Sequence, residues 1–192
     1  MAGLCEGGNE PPDSLKAICM KGKDTRDAVG LLRTIGERYL EKNKEVYVVF
    51  VDLEKAFDRV DWNKLMGILK KIGVDWKERR LFSNLCTKQR VKVRIGEEIS
   101  EGIEIGRGVP QGCPLSPTLF NIYLENLVKN CFQNMGGVIV GGRRIKCIRF
   151  ADDMALLAEE EMILKDMLLE LNDSCEQCGM KIKMQVRRKP WS

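Results

Sequence analysis

The chain has 192 residues, 44% of them hydrophobic, a formal net charge of +4 and no histidine. That length and apolar content suffice for one buried core, and no apolar run approaches the roughly 20 residues a membrane-spanning helix needs. The missing histidine excludes Ser-His-Asp hydrolysis, His-ligated zinc and histidine-dependent nucleases together.

Residues 1–20 hold Gly, Pro, Asn and Ser without a sustained period and read as a disordered tail. With Glu6, Glu10 and two prolines they carry no signal-peptide pattern, which agrees with a soluble intracellular domain. A helix is predicted over 24–42, capped by Asp24 or Thr25, with Ala28, Leu32, Ile35 and Tyr39 on one face. Val46 to Val51 are all β-branched or aromatic, the pattern of a strand buried on both faces. Asp52 stands where that strand emerges. It either opens the following loop or is paired or metal-bound, because a bare charge in apolar surroundings costs several kcal/mol.

Asp61 is placed to cap a helix bearing Trp62, Leu65, Leu69 and Ile72, which Gly73 ends. Asp75 with Glu78 has the pattern of a capping box, opening a short helix through Leu81, Phe82 and Leu85. Val91, Val93 and Ile95 then alternate with Arg90, Lys92 and Arg94, so a strand with one apolar and one basic face is expected. Gly96 to Glu98 turn it into a second strand ending near Ile105. From Gly108 to Asn121 the Gly and Pro content forces a tight loop. Ser116 is expected as N-cap and Pro117 as the first helical residue, with Phe120, Tyr123, Leu124, Leu127 and Cys131 on one face of the helix that follows. A rigid loop feeding a helix N-terminus suits a flat or anionic ligand, and is equally an ordinary junction.

Residues 145 to 158 read as a hairpin with Asp152 and Asp153 at its tip. Adjacent carboxylates form ordinary turns, but they repel each other, and a cation beside them relieves that repulsion. Hard oxygen donors suit Mg²⁺. Basic residues flank both regions: Arg90, Lys92, Arg94 and Arg107 around the first hairpin, and Arg143, Arg144, Lys146 and Arg149 before the aspartates. They form either a solvated face or the path of a nucleic-acid backbone. Finally, Leu164, Leu168, Leu171, Cys175 and Cys178 step at helical spacing up to Gly179. The Cys175-Cys178 pair therefore continues an apolar stripe, and the eight cysteines read as free thiols rather than zinc ligands or disulfides.

In this order and spacing, Val49 to Asp58, Gly108 to Ser116 and Phe150 to Asp153 resemble three motifs of the reverse transcriptase domain of non-LTR retrotransposons. Gly179 to Ile182 is similar to the motif that follows, although Lys183 stands where that family usually has Asn. The resemblance implies an α+β fold, a right-hand polymerase palm in which an antiparallel sheet is backed by helices, with a partial fingers lobe and no thumb. It implies a tail at 1–20, the reverse transcriptase domain at 21–183 and a basic tail at 184–192. The implied activity is RNA-directed DNA polymerisation with an RNA template, a DNA primer and deoxynucleoside triphosphates, and no membrane partner.

By the same resemblance, Asp52 and Asp152 bridge two Mg²⁺ ions, for which Mn²⁺ can substitute. Asp153 completes the cluster and the Leu53 carbonyl adds a ligand. Phe57 would lie beneath the incoming sugar, excluding a 2′-hydroxyl, or else serve as a core anchor. Gln111 would contact the nucleotide. Lys21, Lys23 and Arg26 are the candidates for the triphosphate, and Arg90, Lys92, Arg94 and Arg144 for the nucleic acid. The chain reads as a fragment of an element, lacking thumb, endonuclease and zinc-knuckle segments. A non-catalytic fragment with residual nucleic-acid binding is the alternative.

Overall fold

The computed structural model describes residues 15–16, 25–87, 89–132, 135–150 and 152–185. In chain order the first elements are β1 (Leu15–Lys16), α1 (Thr25–Leu40), β2 (Tyr47–Leu53), a 3-10 turn at Phe57–Arg59, α2 (Trp62–Lys71) and α3 (Trp76–Thr87). Short strands β3 (Arg90–Val91), β4 (Arg94–Ile95), β5 (Glu98–Ile99) and β6 (Ile103–Glu104) precede α4 (Ser116–Cys131). The remaining elements are β7 (Val138–Val140), β8 (Arg143–Ile145), β9 (Cys147–Phe150), β10 (Asp153–Ala158), α5 (Glu161–Gln177) and β11 (Ile182–Gln185).

A five-stranded sheet in the order β1-β9-β10-β2-β11 is the frame, antiparallel throughout except for β1 beside β9. The alternation of β2 sorts its residues to two faces. Val49, Val51 and Leu53 enter a core built with α2, α4 and α5, while Val48 packs on the opposite side with Leu32, Ile35 and Tyr39 of α1. β10 is central, and Met154 to Ala158 are buried on both faces, which explains their unbroken apolar run.

The helix stripes of α1 and α4 are buried as their spacing predicts. Asp61 caps α2 by accepting from the Lys64 N–H at 3.0 Å, and Gly73 ends that helix region at φ 85°. Ser116 departs from expectation. It is the first residue of α4 rather than its cap, and its buried hydroxyl donates to the Pro110 carbonyl at 2.5 Å, stapling the preceding loop. In α3 the buried residue is Cys86, with Phe82 half-buried one turn earlier. Leu81 and Leu85 stand about 100° around the helix and are exposed.

The tail expected over residues 1–20 contains a paired segment, since Leu15 and Lys16 align with Ile148 and Arg149. At the other end β11 runs to Gln185, past the expected boundary at 183. The expected hairpin over 145–158 is divided at Lys146. Arg143–Ile145 pairs with β7, and Cys147–Phe150 pairs with β10. The β7–β8 turn, which the sequence reading missed, uses Gly141 and Gly142 at φ 58° and 78°, the positive values a tight hairpin turn requires.

Tyr39 ties α1 to β7 and to the connection between β10 and α5. Its hydroxyl accepts the Ile139 N–H and donates to Glu159 Oε1, both at 2.6 Å. Burial and the Glu159 bond push its pKa up to about 12. Tyr39→Phe leaves the Ile139 N–H without that acceptor, and a loss of about 1–2 kcal/mol is expected in urea unfolding.

Candidate active site

Asp52, near the end of β2, and Asp153, at the start of β10, lie side by side in the sheet. Met154 lies opposite Val51 in the antiparallel ladder, and the next residues outward are Asp153 and Asp52. Both line a cavity of about 370 Å³, together with Phe50, Ile148 and Ala155 of the sheet and Ala28, Val29 and Leu32 of α1. Asp152 occupies the turn just before β10. Partial burial, followed by the negative charges of Asp152 and Asp52, raises the Asp153 pKa above the usual carboxylate value. The groups are within electrostatic reach, yet among the described residues no three His, Cys, Asp or Glu side chains are arranged to hold one ion. Two of the carboxylates share a strand row, whereas the third belongs to a turn. Leu53 is buried, its backbone paired with Ile182.

The raised Asp153 has a consequence for stability. Its folded pKa lies above its unfolded value, so the folded state holds more protons through the acid range. Stability contributed below the unfolded pKa is therefore lost as pH rises through the folded pKa. Asp153→Asn removes that penalty. In chelator at neutral pH the variant is expected to unfold at higher denaturant concentration than the parent, with the difference disappearing at strongly acidic pH.

The Pro-Gln-Gly loop is fastened to the segment following Asp52. Gly108 N–H donates to Val60 O and Val109 N–H to Phe57 O, each at 2.9 Å, while Trp62 Nε1 donates to Gly108 O at 2.6 Å. Gly108 adopts φ 95°, and a Cβ there would come within 2.9 Å of the Asp58 backbone, so only glycine permits this approach. Gln111 Nε2 donates to Asp58 Oδ1 at 3.1 Å, a pairing that the sequence reading did not find. Half-buried Phe57 stacks on buried Phe120, with ring centroids 4.5 Å apart and planes at 27°.

The basic residues divide into three groups. Lys146 and Arg149 do not face solvent, contrary to expectation. β9 is covered on both sides, so its alternating side chains point either toward α1 or toward the main core. Lys146 Nζ donates to Phe132 O, and Arg149 pairs with Glu125 of α4 at 2.7 Å. Arg144 is exposed but lies near the Tyr39 hydroxyl, at the end of β10 away from Asp153. It therefore stands apart from the carboxylates.

Arg90 on β3, Lys92 between β3 and β4, and Arg94 on β4 are exposed, with the Arg90 and Arg94 guanidiniums donating to the Gly102 and Gly96 carbonyls. The neighbouring apolar residues Val91, Val93, Ile95, Ile99 and Ile103 are exposed as well. Arg26 is exposed in the first turn of α1, beside the cavity residues Ala28 and Val29. Lys21 and Lys23 lie outside the described residues. The Cys175 and Cys178 thiols are free, and burial pushes the Cys175 pKa up to about 12.

Residues 15–185 match the family described as reverse transcriptase (RNA-dependent DNA polymerase). A retrovirus-related Pol polyprotein from the type-1 retrotransposable element R2 of Popillia japonica is 31% identical over 154 residues, covering 79% of this chain and 22% of that protein. The RNA-directed DNA polymerase from mobile element jockey of Drosophila funebris is 27% identical, covering 77% of this chain and 16% of the relative. The chain thus spans under a quarter of the length of either protein. Among solved structures, apo telomerase from Candida tropicalis superposes with a TM-score of 0.65 at 15% identity, over 83% of this chain and 31% of that one. No described helix is long and apolar enough to cross a membrane.

Proposed function

The chain belongs to the reverse transcriptase (RNA-dependent DNA polymerase) family, and from that premise we propose that Asp52, Asp152 and Asp153 form a centre for template-directed nucleotidyl transfer. The observation that carries this reading is the meeting of Asp52 and Asp153 at adjacent strand ends, within electrostatic reach of Asp152. A donor set made only of carboxylates, in a chain without histidine, fits Mg²⁺, with Mn²⁺ able to replace it. When bound, two such ions would stabilise the attacking primer oxygen and the leaving pyrophosphate. Asp52, Asp152 and Asp153 would hold these ions, with the Leu53 carbonyl as a backbone oxygen donor.

The five-stranded sheet with α4 and α5 serves as the palm, while α1 and the strand pairs of residues 90–104 form part of the fingers. Arg90, Lys92 and Arg94 hold phosphates of an RNA template and DNA primer, and Arg26 approaches the triphosphate of a deoxynucleotide. Gln111 already holds the loop against Asp58, and its exposed amide has further hydrogen-bonding capacity for the nucleotide. The test is extension of a DNA primer on an RNA template with Mg²⁺ or Mn²⁺. Extension that persists in Asp52→Asn overturns the assignment, and binding without extension favours the non-catalytic reading.

Phe57 is proposed as the sugar gate, its ring plane held by the stack on Phe120. Phe57→Val keeps an apolar anchor but shortens the side chain. Ribonucleotide incorporation relative to deoxynucleotide is expected to rise about 10-fold or more, the scale of a lost steric clash. Unchanged sugar discrimination in a folded variant leaves Phe57 as a core anchor alone.

A further inference from the structure

We propose that Lys183 tunes the divalent-cation affinity of the carboxylate cluster by holding an ammonium charge beside Asp52, an inference that rests on the reading of Asp52, Asp152 and Asp153 as metal ligands. β11 pairs antiparallel with β2, and the register sets Lys183 directly opposite Asp52, Met184 opposite Val51 and Gln185 opposite Phe50. Directly opposed residues of an antiparallel pair project to the same face, with Cβ atoms about 4.5–5.5 Å apart. Val51 faces the buried core, so Asp52 and Lys183 share the other face, where neither is buried.

Asp153 neighbours Asp52 on the opposite flank of β2. Across β10, β2 and β11 the row therefore reads negative, negative, positive. Two residues further along, β2 and β11 bring together a second acidic and basic residue. Lys181 lies beside Glu54, whose N–H donates to the Lys181 carbonyl at 2.9 Å, and Glu54 is engaged with Arg59 at 3.3 Å. Lys183 is thus the lysine whose strand register addresses a proposed ligand directly.

The physical effect has two sides. A cation in this row offsets part of the repulsion between the neighbouring carboxylates of Asp52 and Asp153, which favours the folded protein before an ion binds. The same charge repels an arriving divalent ion and competes for Asp52. At a separation near 6 Å and a water-like dielectric, reduced by salt, removing one positive charge should strengthen divalent binding by about three- to fivefold.

The experiment titrates the full chain with Mn²⁺ alone, following free Mn²⁺ by electron paramagnetic resonance. Lys183→Gln is expected to bind Mn²⁺ about three- to fivefold more tightly than the parent, and Lys183→Arg to match the parent because it keeps the charge. Lys181→Gln, about 6.6 Å further along the strand, should shift affinity by less than half as much. A Lys183→Gln variant no tighter than Lys183→Arg, or a Lys181→Gln shift of equal size, overturns the inference. Adding Asp52→Asn separates the two levels. If it weakens Mn²⁺ binding while Lys183→Gln fails to tighten it, only the role of Lys183 falls; if it has no effect in any background, the metal-site reading falls and takes the inference with it.

Discussion

Asp152→Asn is expected to reduce primer extension by about a thousandfold or more, the several kcal/mol that metal-borne charge stabilisation contributes to phosphoryl transfer. Asn keeps the shape and most of the hydrogen-bonding capacity of the turn but removes the charge that would hold a cation. The fold should survive, since Asp152 contributes only repulsion to the Asp153 carboxyl. An unfolding midpoint in chelator equal to or above the parent's would separate lost chemistry from lost structure. Combining it with Asp52→Asn should cost little more than either change alone, because groups serving one site act as a unit. Extension by the single variant within tenfold of the parent would remove Asp152 from the centre.

That prediction stands on residues whose proximity no local pattern encodes. The strand at Val46–Val51 and the apolar run Met154–Ala158 were visible as separate buried segments, but periodicity does not say that they are neighbours. The resemblance of the motifs supplied that step, and the ladder from Met154–Val51 to Ala158–Tyr47 bears out the adjacency. Helices were legible for a simpler reason. Leu32, Ile35 and Tyr39, or Phe120, Tyr123, Leu124 and Leu127, each repeat at the helical period, so burial of one face can be read from spacing alone.

Contacts between distant polar groups were not legible. Gln111 meets Asp58 across 53 residues, and Arg149 meets Glu125 across 24. In sequence Arg149 looks like one more cation near the aspartates. Only the sheet order, which buries β9 between two layers, turns it inward. β11 was missed because Ile182 to Gln185 is a short run of two apolar and two polar residues, and its pairing with β2 depends on the turn at Gly179, φ 71°. By contrast Gly141-Gly142 between Val138-Ile-Val140 and Arg143-Arg-Ile145 was a readable hairpin signal.

The Arg149–Glu125 pair carries the other large expectation. Its side chains are 6% and 13% exposed and 2.7 Å apart, joining β9, the strand that leads to the turn bearing Asp152 and Asp153, to α4. Arg149 Nε has no hydrogen-bond partner, so the guanidinium relies heavily on that one carboxylate. Glu125→Ala would leave the guanidinium buried without a counter-charge, and a loss of about 3–5 kcal/mol is expected from denaturant unfolding. Arg149→Ala should cost less, because Lys129 lies 3.7 Å from the other Glu125 oxygen and can still answer its charge.

The double change Arg149→Met with Glu125→Leu removes both charges while keeping volume, and should fall within about 1 kcal/mol of the parent. If stability is restored but primer extension is not, the pair serves to aim the turn bearing Asp152 and Asp153 rather than merely to hold the layers together. A Glu125→Ala variant losing less than about 1 kcal/mol would mean that the buried guanidinium finds another partner, and that α4 and β9 are joined by apolar packing alone.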